Sequence, residues 1–163
     1  MAIKYEKILF CTDFSEDADY AFLTALDMAE KYKARLYIFH VLHSPYKYMR
    51  TVVDEPVPGG EEAFFSQELI EKIVKNLKER YEPKIGGFRE YEFHAVIGVP
   101  FVEIVRFSRA QNVDFIVLGA AGSSDLDRIT FGSTAENVAR RAHCTVMAIR
   151  YPEKSFQLDK IGR

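Results

Sequence analysis

Cysteine is scarce. Cys11 and Cys144 are the only two in 163 residues, too few for a disulfide scaffold or a four-ligand zinc site. An excess of one charge is also missing: 22 Lys and Arg against 24 Asp and Glu leave a net charge of −2. That balance argues against a broad electrostatic footprint for nucleic acid or an anionic membrane. Long apolar runs are absent too. The longest resemble Phe115-Ile116-Val117-Leu118, far short of the roughly 20 residues that span a bilayer. Met1 to Lys7 carries no apolar core of a signal peptide, so a cytoplasmic location is expected. The two commonest phosphate motifs are missing as well: there is no GxxxxGK[ST], and no GxGxxG follows the first apolar run.

What remains is a globular composition, 48% apolar and 28% charged, of one-domain length. Five short apolar runs read as strands: Ile8–Cys11, Leu36–Phe39 with Val41–Leu42, Tyr91–Ile97, Phe115–Leu118 and Val146–Ile149. Between them apolar residues recur every three or four positions, one face of a helix in each case. Ala18, Ala21, Phe22, Ala25, Met28, Ala29 and Tyr32 form the first such face, and Ile70, Ile73, Val74, Leu77 and Tyr81 the second. Phe101, Ile104, Val105 and Ser108 form the third, and Ala135, Val138, Ala139 and Ala142 the fourth. Strands apolar on both faces need helices on both sides, which predicts an α/β fold with a mostly parallel, doubly wound sheet. The alternation in the third run predicts an edge strand. A single domain over residues 1–151 is expected, with a loop insertion at 44–62 and a polar tail at 152–163.

In such a sheet ligands bind beyond the carboxyl ends of the strands, where the winding reverses. The residues there are Thr12-Asp13-Phe14-Ser15, His40-Val41-Leu42-His43, Gly98-Val99-Pro100 and Gly119-Ala120-Ala121-Gly122-Ser123-Ser124. Gly119, Gly122 and Gly132 offer left-handed backbone angles and close approach to a ligand. Ser133, followed three residues later by Glu136, reads as a capping box that places the helix start at Ser133. The amides of that first turn favour an anion. Glycine corners and a helix mouth together make a phosphate cradle; an ordinary strand terminator, a turn and a cap are the plainer alternative. Asp13 reads as a ligand contact or as a charge on the first helix. His40, His43, His94 and His143 lack metal-ligand spacing and read as structural, as do the two cysteines. Arg128 is a phosphate partner or a solvated charge. Tyr46, Tyr48, Phe64 and Phe65 are assigned no site.

Gly119-x2-Gly122-x9-Gly132-Ser133 resembles the G-x2-G-x9-G-[ST] signature of the universal stress protein family, in its ATP-binding branch. Ile8 to Ser15, Gly98-Val99-Pro100, Val113 to Gly119, Asn137-Val138-Ala139 and Cys144-Thr145-Val146 agree with it, so the resemblance covers about residues 3 to 150. It implies a three-layer sandwich of the Rossmann-like, adenine nucleotide alpha hydrolase-like type, with a five-stranded parallel sheet of order 3-2-1-4-5. It implies a homodimer joined through Val146, Met147, Ala148 and Ile149, and a bound ATP with magnesium. Thr12 and Asp13 would then sit at the adenine and ribose, Val41 would offer backbone groups to the base, and Leu118 and Gly119 would approach the ribose. Gly122, Gly132, Ser133 and Thr134 would hold the phosphates. Three positions depart from the family pattern: Cys11 and Thr145 stand where proline is frequent, and Ala121 replaces a commonly polar or basic residue. The expected function is a nucleotide-dependent sensor or switch in the stress response. A slow ATPase or phosphoryl or nucleotidyl transferase, and a nucleotide-free module docking a protein client, are the alternatives.

Overall fold

The computed structural model describes residues 2–44, 61–121 and 132–151, with 61–65 described as backbone alone. The 44–62 insertion, Gly122, Arg128 and the 152–163 tail therefore lie wholly or mostly outside the described residues. Within them the chain runs β1 (Lys7–Cys11), α1 (Glu16–Tyr32), β2 (Arg35–His43), α2 (Glu61–Ile85) and β3 (Tyr91–Gly98). It continues through α3 (Pro100–Ala110), β4 (Phe115–Gly119), α4 (Ser133–Arg141) and β5 (Thr145–Ile149). All neighbouring strands are parallel and their order is β3-β2-β1-β4-β5, as the family resemblance implies. β3 is an edge strand, as its alternation predicts.

Parallel strands buried on both faces divide the core in two. Ile8, Phe10, Leu36, Ile38 and Val117 pack against the alanine face of α1 and against Ile73, Leu77 and Tyr81 of α2. Leu9, Cys11, Phe39, Ile116 and Leu118 pack on the other face against Ile104 of α3 and Ala135 and Val138 of α4. The winding reverses between β1 and β4, and that reversal opens a crevice at their carboxyl ends. The α1–α2 side is the more aromatic: Phe10, Phe22 and Tyr81 meet at centroid distances of 5.3, 5.3 and 4.7 Å.

Local sequence fixes the α1 ends. The Ser15 hydroxyl accepts the Ala18 N–H at 3.2 Å, and Glu16, Asp17 and Asp19 load the first turn with negative charge. Lys33 ends the helix in the left-handed region at φ 53°, its N–H reaching Ala29 and Glu30 carbonyls.

Four expectations are corrected. Val41 and Leu42 belong to β2 as their apolar run predicts, but His40–His43 as a whole lie within that strand rather than beyond its end, because β3 pairs with them through His43↔Gly98. α2 begins at Glu61, inside the span assigned to the insertion. Gly132, not Ser133, is the α4 cap, with no side-chain capping bond; Glu136 bonds Arg140 at 2.9 Å instead. Gly132 has φ −59° and Gly119 is not among the positive-φ residues, so neither uses left-handed freedom. Gly119 is demanded by packing: an added Cβ would lie 3.0 Å from the Ala18 nitrogen and 3.1 Å from the Asp17 Cβ.

Candidate functional site

The difference in strand length builds the site. β1 pairs with β2 only as far as Cys11↔Phe39, while β2 runs on to His43 beside β3. In a parallel strand alternate residues direct their N–H and C=O groups to opposite neighbours. The Leu36 and Ser44 amides bond Glu90 and Gly98 on the β3 side, and Phe39 accepts the Thr12 N–H at 2.9 Å on the β1 side. Val41 is the next residue facing β1, and among the described residues no strand continues there. Its donor and acceptor open onto a cavity of about 680 Å³.

The turn after β1 forms the adjoining wall and is held by side chains. Thr12 is buried, its Oγ1 2.6 Å from the Tyr81 hydroxyl and accepting the Phe14 N–H at 3.0 Å. Tyr81 also donates to Asp19 at 2.9 Å, and Arg80 bonds Asp19 at 2.8 Å and the Phe14 carbonyl at 3.0 Å. These contacts offset a strained backbone, since Phe14 sits at φ 63°, a region costly for a residue with a side chain. Burial acts to raise the Asp19 pKa, but the hydrogen bonds from Arg80 and Tyr81 and the Arg80 charge outweigh it and hold the carboxyl below its ordinary value.

His40 supports the same turn from β2. Its Nδ1 lies 2.7 Å from the Thr12 carbonyl, which can only accept, so the proton is on Nδ1. Burial lowers the imidazole pKa, opposed by the Thr12 bond and the Asp13 charge, and the ring is neutral at neutral pH. Phe14 packs over it at 4.6 Å. The Asp13 Oδ1 accepts the Ser15 N–H at 3.0 Å, a local turn that places its carboxylate at the rim.

The opposite wall is main chain. Ala120 donates to Ile149 at 2.8 Å and accepts from Gly132 at 2.7 Å, which brings the end of β4 to the start of α4. The first turn of α4 faces the cavity with Ser133, Thr134 and Ala135. Because Gly132 takes the cap position, the Ser133 hydroxyl is not used for capping. The floor adds Val99, Pro100 and Phe101 at the mouth of α3.

Eight of the nine predicted site residues therefore line one cavity: Thr12, Asp13, Val41, Leu118, Gly119, Gly132, Ser133 and Thr134. Gly122 lies outside the described residues. Sequence reasoning read His40 as structural, which its bond to the Thr12 carbonyl bears out, but missed Asp19, Arg80, the hydroxyl role of Tyr81 and the buried Asp17. A tyrosine on an otherwise aliphatic helical face and a histidine inside a strand were the available signals. Cys11 lines the cavity, but burial pushes its thiol pKa up, so it stays protonated and unreactive. Among the described residues no three His, Cys, Asp or Glu side chains converge on a metal position, and no helix is long and apolar enough to cross a membrane.

Comparison with known proteins agrees with this architecture. A universal stress protein of Methanocaldococcus jannaschii is 33% identical over 156 residues, covering 92% of this chain and 85% of the relative. The solved universal stress protein from Lactobacillus plantarum superposes with a TM-score of 0.72 at 23% identity, covering 91% of this chain and all of the other. A universal stress protein solved in complex with cAMP gives a TM-score of 0.61 at 22% identity, covering 90% and 98%. The universal stress protein family model itself matches residues 4–150. With its strand order, its crevice and its glycine spacing all in place, the chain belongs to the universal stress protein family.

Proposed function

We propose that this chain is an adenine-nucleotide-binding stress-response protein, with ATP as its ligand, acting as a cytoplasmic homodimeric sensor or switch. The observation that carries the reading is one cavity with two complementary ends. Val41 presents a strand edge that no described strand covers at one end, suited to the alternating donors and acceptors of a base. Amides and hydroxyls of Ser133 and Thr134 open the other at a helix N-terminus, suited to phosphate. Leu118, Val99 and the Phe101 ring supply apolar walls between them. Asp13 at the rim would accept a ribose hydroxyl. The cAMP-bound relative supports an adenylate in this fold. Magnesium would enter on the phosphates, with Ser133, Thr134 and Asp13 as the nearby oxygen donors.

The reading is one of binding. ATP would act by favouring one arrangement of the cavity walls over another, which requires different affinity for the two. β5 is a sheet edge among the described residues, with Val146, Met147, Ala148 and Ile149 all partly exposed. Pairing with the same strand of a second copy would cover it.

Isothermal titration of the full chain with ATP and magnesium tests the reading, together with mass spectrometry of any small molecule that copurifies. Saturable one-site heat is expected. No heat and no melting shift with ATP, ADP or AMP at millimolar concentration would remove it. Light scattering checks the assembly separately, and a monomer mass with and without ATP would remove the dimer.

A further inference from the structure

Phe14 is gripped at both its N–H and its carbonyl by one closed ring of hydrogen bonds. The N–H donates to the Thr12 Oγ1 at 3.0 Å, and that hydroxyl lies 2.6 Å from the Tyr81 hydroxyl. Tyr81 donates to the Asp19 Oδ1 at 2.9 Å. The Arg80 Nη2 closes the ring, bonding the Asp19 Oδ2 with one proton and the Phe14 carbonyl, at 3.0 Å, with the other. Asp19 is ionised at neutral pH and can only accept. The Tyr81 proton therefore points to Asp19, and the Thr12 proton points to Tyr81.

The ring is built away from the cavity. Tyr81 is fully buried and Thr12 nearly so, and neither Arg80 nor Tyr81 lines the cavity. Thr12 is also fixed from β2, its N–H donating to the Phe39 carbonyl at 2.9 Å and its carbonyl accepting from the His40 Nδ1 at 2.7 Å. Asp13 thus stands between two fixed residues. Its Oδ1 accepts the Ser15 N–H at 3.0 Å, and it lines the cavity. Phe14 carries the conformational cost at φ 63°, with its ring 4.6 Å from His40 and 5.6 Å from the Arg80 guanidinium. Such strain persists only where the surrounding contacts over-determine it.

We infer that Arg80 and Tyr81 are positioning residues for ribose recognition, holding Asp13 at the cavity rim through the closed ring on Phe14. Neither touches the ligand. Both act through the backbone on either side of Asp13, and one break anywhere in the ring releases it. The inference rests on the nucleotide reading above and concerns how the sugar is recognised.

The test is titration of the full-length protein with ATP, 2′-deoxy-ATP and 3′-deoxy-ATP in magnesium. The unmodified chain is compared with Tyr81→Phe, which deletes one hydroxyl, and with Arg80→Lys, which keeps the charge but cannot span Asp19 and Phe14. The double variant is measured too. Ile85→Val, a buried change one turn further along α2, lowers stability without touching the ring. The unmodified protein is expected to bind ATP about tenfold more tightly than the analogue lacking the hydroxyl that Asp13 accepts. Tyr81→Phe and Arg80→Lys should each cut that preference by roughly threefold or more, the double variant no further than the singles, and Ile85→Val not at all. A merely structural role would weaken ATP and both analogues together, and an unchanged preference in either single variant overturns the inference. An equal loss in Ile85→Val also overturns it, since lowered stability would then be responsible. Losses that multiply in the double variant overturn the closed ring and the inference with it. Equal binding of ATP and both analogues by the unmodified chain overturns the inference while leaving nucleotide binding in place. Failure of all three to bind is a different result, and it removes the nucleotide reading itself together with the inference.

Discussion

At the β1 end of the cavity side chains hold the main chain in place, whereas at the α4 end main chain chiefly holds main chain, with the buried Asp17 carboxylate accepting the Ala121 N–H beside it. The Thr12–Ser15 turn depends on Tyr81, Arg80, Asp19 and His40, four side chains from three elements. The Ala120–Gly132 junction depends on backbone bonds of 2.7 and 2.8 Å and on the missing side chain of Gly119. The first end can be loosened in small steps by point changes and by pH. The second yields most readily to a steric insult.

The largest effect expected is at the backbone-held end. Gly119→Val drives a side chain into the α1 backbone 3.0 Å away, which cannot give way as a flexible side chain would. A destabilisation of about 3 kcal/mol and loss of ATP heat are expected in denaturant melts and titration. A stable, binding-competent variant would erase the distinction between the ends.

At the side-chain-held end, Asp19→Ala removes the carboxylate that accepts from both Arg80 and the Tyr81 hydroxyl, leaving them the Phe14 carbonyl and Thr12 alone. A cost of about 2 kcal/mol is expected. Tyr81→Phe removes only the hydroxyl and is expected to cost about 1 kcal/mol, with weaker ATP binding. Urea midpoints at constant m-value read both changes.

The same end should respond to acid. The folded His40 pKa is depressed, so the unfolded chain takes up that proton first as pH falls below about 6.5. Stability is then lost from that point down through the folded value. Asp19 is likewise depressed when folded, and its contribution is present above the ordinary carboxylate range and lost as pH falls through its folded value. Melts across pH should show two separate declines. His40→Asn should remove the upper one alone and Asp19→Asn the lower one alone.

Ser133→Ala is expected to change stability by less than about 0.5 kcal/mol, because Gly132 already holds the cap position. A true Ser cap would cost about 1 kcal/mol. A weaker affinity for ATP with an unchanged melting temperature is the expected signature.

Much of this was legible in the sequence. Apolar runs and three-four spacing located every strand and helix, because burial on both faces of a parallel sheet leaves a pattern that local chemistry can display. The cavity was legible for a related reason: strand ends carry the ligand in this topology, and Thr12, Asp13 and Gly119 stand at strand ends while Ser133 opens α4 beside them. The end of β2 was legible only in part: Val41 and Leu42 read as strand, but His40 and His43 read as lying beyond it, since the length of β2 is set by pairing with β3, which is a long-range fact. The Ser133 capping box misled because Glu136 found Arg140 one turn away. Tyr81, 69 residues from Thr12, is recorded in the sequence only as one more apolar position on a helix.

β2 outruns β1 by four residues, and this step in the sheet has an evolutionary corollary. The group that would recognise a base is peptide, so drift at position 41 among Val, Ile, Thr or Leu leaves the recognition surface intact. Only proline, which deletes the N–H, or a change that lengthens β1 would erase it. Specificity of this kind is inherited through chain path, and it can persist among relatives whose side chains have diverged almost everywhere else.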